Sequence, residues 1–480
     1  MRRPLLGPSL GSLVVSSIGV LALASCVRSS ADASVPPPIV AAIPPLAAAS
    51  SIGAEPSSTR PCATATCEAP TVLLRDARLI DGTGAAPREH VDVLVERGRI
   101  AQIGPGLPPP QGAQVIELHG RTLLPGLIDA HVHLSASPPA SYAQGVVDDL
   151  GRTLADHALL GASNARATLL AGFTTVRNVG GSLADRALRD AIANGLVPGP
   201  RMLVANHAIG ITGGHCDDTN AMHPDVMPQA QDYRHGVADG PEEVRKAVRY
   251  QIKHGADVIK VCATGGVMSQ GDAVGAAQLD PQELRAAVDA ANRAERKVAA
   301  HAHGNQGIRE AVEAGVHSIE HGSILDEPSV RMMVERGTFL VPTVYVAKAV
   351  ERQADAGKLS EDSARKAREI APKMRRSFRL AYEGGVKIAL GSDAGVFAHG
   401  DNGKELTTMV ELGMTPMDAI VAGTSRAAEL LGLRDVGRVE EGLHADLVVV
   451  EGDPLANIEV LERPAMVMKG GVIYLEPAWD

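Results

Sequence analysis

The middle of the chain alternates short apolar segments with helical patterns, and this alternation limits the fold more than any other feature. Eight apolar segments are predicted to be strands: residues 123–133, 174–178, 201–205, 257–262, 297–303, 318–321, 339–344 and 387–392. Amphipathic stretches such as "PEEVRKAVRYQIKHG" separate most of them. Eight strands that alternate with helices predict an α/β fold, the (β/α)8 TIM barrel, with a site at the carboxyl ends of the strands. An open doubly wound sheet is the alternative, but no GxGxxG motif follows the first strand.

Both ends of the body contain short β segments punctuated by glycine and proline, as hairpins require. Residues 71–122 include "TVLLRDARLI" and "HVDVLVERGRIAQIG", and residues 435–480 include "HADLVVVEGDP" and "AMVMKGGVIYL". We therefore predict that the two segments form one small β-sandwich domain and that residues 123–434 form the barrel.

The N-terminus has the features of an export signal. Two arginines precede an apolar stretch that is too short to span a bilayer comfortably and that ends in "LASC". We interpret residues 1–26 as a bacterial lipoprotein signal in which Cys26 carries lipid, with a plain secretory signal as the alternative. Residues 27–70, rich in Ala, Pro and Ser, predict a flexible tether in which Cys62 and Cys67 can pair. The protein is therefore expected to be exported and membrane-anchored, facing the periplasm or the cell exterior.

Charge and cysteine content restrict the partners. The formal net charge is −10 and no Lys/Arg-rich run stands out in the body, so we expect no nucleic-acid partner. Cys216 and Cys262 lie in apparent strand–loop regions, and the sequence leaves open whether they meet. We also expect the chain to form a homo-oligomer.

Ionisable side chains collect at the predicted strand ends. His131 and His133 end the first strand and share a face, because successive side chains of a strand alternate. Lys260 lies among the apolar residues of the fourth strand. The other candidates at strand ends are His301, His303, His321 and Asp393. Each has a structural explanation by itself, such as a satisfied core histidine, but together they predict a metal site at one face of the barrel.

Five motifs carry a resemblance to a known family: "PGLIDAHVHL", "HAHG", "SIEHG", "GSDAG" and "GLHADLVVV". The body resembles the amidohydrolase superfamily, and most closely its imidazolonepropionase-like branch, which includes Xaa-Pro dipeptidases and ochratoxin-hydrolysing amidohydrolases. The resemblance implies two divalent metal ions bridged by a carbamate on Lys260. Its implied ligands are His131, His133 and Asp393 for one ion, and His301 and His321 for the other. Zinc is the default ion for such sites, although manganese or cobalt can substitute.

The implied reaction is hydrolysis of an amide bond in a small molecule, such as a dipeptide or an N-acyl amino acid, by a metal-bridging hydroxide. Asp393 is expected to transfer a proton to the leaving amine, and His303 to contact the substrate carbonyl or its oxyanion. His215, on a Gly-rich loop, is a further candidate for contact with a substrate carboxylate or carbonyl, and Tyr345 is another candidate contact. The structural alternatives are that His215 is a mobile loop residue and that Tyr345 is packed or exposed to solvent.

Two other functions stay open. One is a cyclic-amide hydrolase like imidazolonepropionase, although that pattern uses a mononuclear centre without the lysine of the fourth strand. The other is a lipid-anchored binding protein, although binding alone needs neither two metals nor a proton-transferring aspartate.

Overall fold

The computed structural model describes residues 69–220, 222–223, 225–226 and 231–479. The predicted signal and almost all of the predicted tether, with Cys26, Cys62 and Cys67, lie outside the described residues. The lipid attachment and the pairing of Cys62 with Cys67 therefore stay predictions. Within the described part, no helix combines the length and the apolar character that crossing a membrane requires.

The described residues form fifteen strands and twelve α-helices. The strands are β1 Val72–Leu79, β2 Arg88–Glu96, β3 Arg99–Gly104, β4 Gln114–Glu117, β5 Thr122–Pro125, β6 Leu127–Val132, β7 Phe173–Asn178, β8 Arg201–Val204, β9 Val258–Cys262, β10 Lys297–Ala302, β11 Ser318–His321, β12 Phe339–Val341, β13 Leu447–Val450, β14 Met466–Lys469 and β15 Val472–Leu475. The helices are α1 Tyr142–Gly151, α2 Leu154–Leu170, α3 Leu183–Ala193, α4 Pro241–Lys253, α5 Pro281–Asn292, α6 Asn305–Ala314, α7 Glu327–Arg336, α8 Val344–Asp355, α9 Glu361–Glu383, α10 Lys404–Glu411, α11 Pro416–Ala422 and α12 Ser425–Leu431.

Strands from the two ends of the body form one eight-stranded mixed sheet, in the order β15–β14–β13–β5–β1–β2–β3 with β4 paired to β1. The two ends meet where β13 pairs antiparallel with β5, with Val448 opposite Leu124. Alternate side chains such as Val72 and Leu74 enter one buried apolar cluster. The predicted sandwich of two packed sheets is not confirmed, because these strands continue within a single sheet.

Two parallel sheets occupy the middle of the chain, β6–β7–β8 and β9–β10–β11–β12. Helices connect successive strands and bury their apolar faces, including Val248 of α4 and Leu284 of α5. The predicted α/β class with parallel strands is confirmed. Since the strands of each sheet run in one direction, their carboxyl ends lie along the same edge of that sheet.

The eighth predicted strand, residues 387–392, does not form a regular strand. Ile388 makes an isolated parallel bridge to Leu340, and the N–H of Ala130 donates to the Leu390 carbonyl at 2.8 Å. The segment therefore lies between β12 and β6. It adds no regular strand to either neighbour, so the parallel strands of the middle form two sheets and not one continuous barrel.

Candidate active site

The predicted site residues come together where the parallel strands end. His131 lies on β6, Lys260 on β9, His301 on β10 and His321 on β11. They line one cavity of about 250 Å³ together with the other candidates, which are His133, His215, His303 and Asp393. Among the predicted site residues that the structure describes, only Tyr345 is not part of this lining.

The first cluster consists of His131, His133 and Asp393, whose ligand atoms lie within 4.8 Å of one another. Nε2 of His131 and Nε2 of His133 lie 3.6 and 3.3 Å from Oδ1 of Asp393. Nδ1 of each ring is already engaged, with the Glu320 carboxylate at 2.8 Å for His131 and with the Gly180 carbonyl at 2.9 Å for His133. Both Nε2 atoms therefore face the space beside the aspartate.

Burial sets the protonation states of the first cluster. Burial, and then the charge of Lys260, lower the pKa of His131 to about 4, which keeps the ring neutral, the form that binds metal. Burial raises the pKa of Asp393, but its hydrogen bond with His133 and the charge of His131 outweigh this, so the pKa lies below its ordinary value. The cluster thus offers the neutral imidazole of His131 and the carboxylate of Asp393 beside the ring of His133.

The second cluster consists of His301, His303 and His321, again with ligand atoms within 4.8 Å of one another. Burial is the largest cause that lowers their pKa values, to about 3 for His303 and well below the ordinary value for His301 and His321. The rings of His303 and His321 stack with centroids 5.0 Å apart. Geometry places all three rings together, so the assignment of His303 to substrate and not to metal stays a prediction.

Lys260 stands in the cavity with only 4% of its surface exposed. Burial lowers the pKa of its amine to about 8, although the carboxylates of Glu320 and Asp393 raise it. Its charge in turn lowers the pKa values of His131 and His301, one from each cluster. Lys260 therefore lies within electrostatic reach of both clusters.

Sequence reasoning missed a buried ion pair beneath the first cluster. Glu320 contacts His131 through Oε2 and accepts from Arg177 Nη2 through Oε1, both at 2.8 Å. Arg177 also donates to the Ala130 carbonyl at 2.6 Å, and neither charged side chain is more than 1% exposed. Charges this deeply buried need partners. A charged residue inside each apolar strand, in "TTVRN" and "SIEHG", was the available signal.

A second buried carboxylate, Asp129, connects β6 to the turn that carries Asp393. It accepts hydrogen bonds from the His131 N–H at 3.1 Å, from the Ser392 hydroxyl at 2.5 Å and from Asn402 Nδ2 at 2.9 Å. Burial raises the pKa of Asp129 to about 6 despite these donors. The contacts fix the two parts of the first cluster relative to each other.

Hydroxyl groups support the second cluster. His303 Nδ1 contacts the Ser323 hydroxyl at 2.7 Å, and His321 Nδ1 contacts the Thr343 hydroxyl at 2.8 Å. His321, Thr343 and Asp393 have positive φ angles of 70°, 48° and 64°. Non-glycine residues in this conformation are strained and concentrate at functional sites. Residues with strained backbone conformations thus belong to both clusters or contact them.

Thr343 occupies the N-cap position of α8, but its side chain makes no capping hydrogen bond. The Glu405 side chain caps the helix in its place. The Glu405 carboxylate accepts from the N–H groups of Val344 and Tyr345 at 2.8 and 2.7 Å. Burial raises its pKa to about 8. The cap holds α8, which contributes Val346, one of the apolar residues that line the cavity.

His215 enters the cavity from the loop after β8. Its ring stacks on His301 with centroids 4.0 Å apart, and burial lowers its pKa to about 4. The next residue, Cys216, forms a disulfide with Cys262 of β9, with Cα atoms 6.1 Å apart. This answers the question that the sequence left open and ties the His215 loop to the strand that carries Lys260.

Tyr345 lies among packed side chains and does not line the cavity. It is 5% exposed, its ring packs edge-on against Phe397 at 4.8 Å, and its hydroxyl accepts from Arg352 at 2.7 Å. Its contact with substrate stays a prediction, and the structure favours the alternative of a packed tyrosine.

The rest of the cavity wall is apolar. Most of it is formed by α8, α9 and the loops after β9 and Asp393, and the loops after β7 and β8 add to it. The residues are Val346, Val350, Ile370, Met374, Met268, Val396, Val179 and Ala208. An apolar cavity with a small set of convergent polar groups at one end is the usual form of a small-molecule site.

Comparison with known proteins agrees with this arrangement. Residues 122–474 match the model of the amidohydrolase family. Ochratoxinase from Aspergillus niger is 36% identical over 375 residues, which cover 74% of this chain and 76% of that protein. The crystal structure of a Xaa-Pro dipeptidase with methionine bound in its active site has a TM-score of 0.81 at 39% identity and covers 84% of this chain and 100% of its own. A prolidase structure in complex with N-methylphosphonate-L-proline has a TM-score of 0.77 at 32% identity and covers 84% and 99%.

The chain therefore belongs to the amidohydrolase family. It is a hydrolase that acts on amide carbon–nitrogen bonds. The resemblance to ochratoxin-hydrolysing and Xaa-Pro-cleaving amidohydrolases that the motifs predicted is confirmed.

Proposed function

We propose that the protein is a binuclear metal-dependent hydrolase that cleaves the amide bond of a small molecule, such as a dipeptide or an N-acyl amino acid. One observation carries the proposal: two three-residue donor clusters, buried except for the partly exposed His133, share a single cavity with the buried Lys260. A mononuclear ring hydrolase has no use for a buried lysine beside two clusters.

The donor set fits two divalent ions. In the first cluster both histidines have Nδ1 engaged and Nε2 turned towards Asp393, as metal-binding histidines usually do. His321 has the same arrangement, with Nδ1 on Thr343. His131, His133 and Asp393 would hold one ion and His301 and His321 the other. When bound, such ions lower the pKa of water and polarise a carbonyl oxygen.

Lys260 would supply a group for both clusters. Only its neutral amine can add to carbon dioxide, and a pKa lowered by burial to about 8 increases the neutral fraction. The new N–C bond and the loss of one proton give a carbamate anion with two oxygens. One oxygen is then available to each cluster.

Asp393 and His303 carry the proton transfer and the stabilisation of charge. Asp393 accepts a proton from the attacking water and passes it to the amide nitrogen as the C–N bond breaks. The Ser323 hydroxyl makes no other hydrogen bond among the described residues, so it is available to donate to His303 Nδ1. The ring proton of His303 is then on Nε2, where it donates to the developing oxyanion.

A screen of dipeptides and N-acyl amino acids with zinc-, manganese- and cobalt-loaded protein tests the proposal. We expect hydrolysis of at least one class with release of a free amino acid, and no hydrolysis after chelation. Binding without turnover would identify a binding protein, and hydrolysis of cyclic amides alone would identify a ring hydrolase. Either result contradicts the proposal.

Two further expectations, on the fold and on the location of the protein, are proposals as well. Residues 387–392, which bridge β12 and β6, act as the eighth strand of a (β/α)8 barrel. The chain is exported as a lipoprotein, with Cys26 as the lipidated residue. Metabolic labelling with a fatty acid should mark the wild type but not Cys26→Ser. If the wild type is not labelled, a plain secretory signal is preferred.

A further inference from the structure

A second cavity adjoins the active site, and the proposed mechanism does not use it. Its volume is about 330 Å³, against about 250 Å³ for the cavity that both clusters line. Small-molecule sites usually enclose about 300–1,000 Å³, so the first cavity by itself is small for one. Both cavities are lined by His133, Met268 and Val396. The two cavities therefore meet beside the first cluster.

The wall of the second cavity is apolar with a balanced set of charges. Its larger apolar side chains come from α1, from the segment before α1 and from the connection between α8 and α9. They are Tyr142, Val146, Pro139 and Leu359. Two carboxylates and two cations also line it, namely Asp148, Asp149, Arg152 and Lys358. Because these four groups have no net charge, the cavity suits an uncharged apolar occupant.

The boundary between the two cavities is held by hydrogen bonds from α8 and α9. Gln353 of α8 donates from Nε2 to the Val396 carbonyl at 2.8 Å. Met268 lies on the loop after β9, and two residues further on Gln270 donates to the Ser363 hydroxyl of α9 at 3.1 Å. Both apolar residues of the boundary therefore have a backbone that is fixed close by.

Lys366 of α9 fixes the same loop from inside the protein. Its side chain is only 1% exposed, and its ammonium donates to the Ser269 carbonyl and to Asp272, both at 2.9 Å. The Ser269 hydroxyl also contacts His215 Nδ1 at 2.9 Å. A buried ammonium is costly without its partners, so the loop stays in this position. The passage from one cavity to the other is thus bordered by a loop with a fixed place.

The second cavity adjoins the first cluster and not the second. Of the described candidate site residues only His133 lines it, whereas His301, His303 and His321 line the first cavity alone. His133 Nε2 lies 3.3 Å from Oδ1 of Asp393. In the proposed reaction Asp393 passes a proton to the amide nitrogen and His303 donates to the carbonyl oxygen. The nitrogen side of the amide therefore faces the second cavity.

We propose that the second cavity binds the side chain of the amine component of the substrate. The enzyme then prefers dipeptides and N-acyl amino acids whose leaving amino acid has a long, uncharged apolar side chain. The acyl group stays in the first cavity, against the apolar residues of α8 and α9. This inference rests on the proposed function, because the orientation follows from the roles of Asp393 and His303.

Two substrate series test the inference. In the first series the amine component grows, from N-acetylalanine through N-acetylnorvaline to N-acetylnorleucine. In the second series the acyl group grows while alanine is kept. Each methylene that leaves water for an apolar site raises kcat/KM by up to about fourfold. We expect such a rise along the first series, and a series without any rise overturns the proposal.

Val146→Trp fills the second cavity from α1. The ratio of kcat/KM for N-acetylnorleucine to kcat/KM for N-acetylalanine should fall by about tenfold, because the added methylenes lose their site. The dependence on acyl length should stay as in the wild type. Val147→Trp is the matched control, since Val147 is the next residue of the same helix, is 61% exposed and lines neither cavity. If Val146→Trp changes the dependence on acyl length instead, the cavity binds the acyl group and the assignment is wrong.

Binding of the free amino acids separates this inference from the proposed function. Calorimetry with the zinc-loaded protein compares alanine, norvaline and norleucine in the wild type and in both variants. We expect the affinity to rise along the series in the wild type and in Val147→Trp, but not in Val146→Trp. If the affinity rises although no amide is cleaved, the second cavity is the binding site and the proposed function fails. If amides are cleaved but neither affinity nor kcat/KM responds to the side chain, this inference fails and the proposed function stands.

Discussion

The two donor clusters differ in charge although they lie in the same cavity. The first cluster contains a carboxylate, Asp393, and rests on the buried Glu320–Arg177 ion pair. The second cluster has three neutral imidazoles, and the groups behind two of them are the hydroxyls of Ser323 and Thr343. The first cluster therefore brings its own negative charge, whereas the second has none.

Because of this difference, we expect Lys260 to contribute differently to the two clusters. A divalent ion gains more from an anionic ligand than from a neutral one. The carbamate on Lys260 would add to a charge already present in the first cluster but would supply the only charge of the second. We therefore expect the first cluster to bind its ion more tightly and the second to depend on Lys260.

The largest effect should come from Lys260→Ala, which removes the shared anion. We expect turnover to fall by about 10⁴-fold, because a polarising charge worth several kcal/mol is lost. Metal analysis should show about one ion per chain in place of two. A short-chain carboxylic acid should partly restore turnover by standing in for the carbamate. Full activity without the acid would rule out the bridging role.

Asp393→Asn separates charge from coordination in the first cluster. Asparagine keeps the size and one coordinating oxygen but accepts a proton poorly. Turnover should fall by about 10²–10⁴-fold, the range for general acid–base catalysis, while much of the metal remains. Metal content and kcat measured on the same preparation check this. Loss of most of the metal with only a small loss of turnover per remaining ion would contradict the proton-transfer role.

His303→Asn tests whether the second cluster holds its ion with two histidines or with three. We expect both ions to remain and turnover to fall by about 10²–10³-fold, as when one oxyanion donor is removed. His301→Asn is the comparison, and it should empty the second cluster. If His303→Asn empties the cluster and His301→Asn does not, the wrong histidine of "HAHG" has been chosen as ligand.

The smallest effects should come from the residues that orient the ligands. Glu320→Gln should weaken metal binding at the first cluster by about 10–100-fold, because the carboxylate fixes the ring of His131. Thr343→Val removes only a neutral partner of His321 and should weaken the second cluster less. Metal affinity and thermal unfolding are measured together, with Glu320→Asp as the variant that keeps the charge opposite Arg177. Equal losses in the two clusters would remove the distinction between them.

That ionisable side chains gather at the strand ends could be predicted from the sequence, because that geometry is local; their roles as metal ligands came from the family resemblance and stay predictions. A strand that alternates its side chains puts His131 and His133 on one face whatever surrounds them. The parallel order of the strands then brings Lys260 and His321 to the same place. The α/β class followed from the alternation of strands and helices, which is also a local pattern.

The residues that support the candidate ligands could not be predicted, because they form contacts between segments that are distant in the chain. Glu320 meets Arg177 across 143 positions in the chain, and Lys366 meets Asp272 across 94. No periodic pattern in the sequence indicates which buried charged residues form a pair. The sequence also placed Tyr345 in the site, although its ring packs against Phe397 beneath the cavity wall. Residues 387–392 do not form the predicted regular strand for the same reason, because a hydrogen-bonded ladder depends on neighbouring strands that the segment itself does not specify.

We propose that one chain needs two ions for amide hydrolysis, and a zinc titration of metal-free protein decides between one ion and two. Activity on the best N-acyl amino acid or dipeptide is followed against equivalents of zinc, with bound metal measured at each point. We expect little activity up to one equivalent, while the first cluster fills, and a rise that ends at two equivalents. Full activity at one equivalent, unchanged by the second, would contradict it.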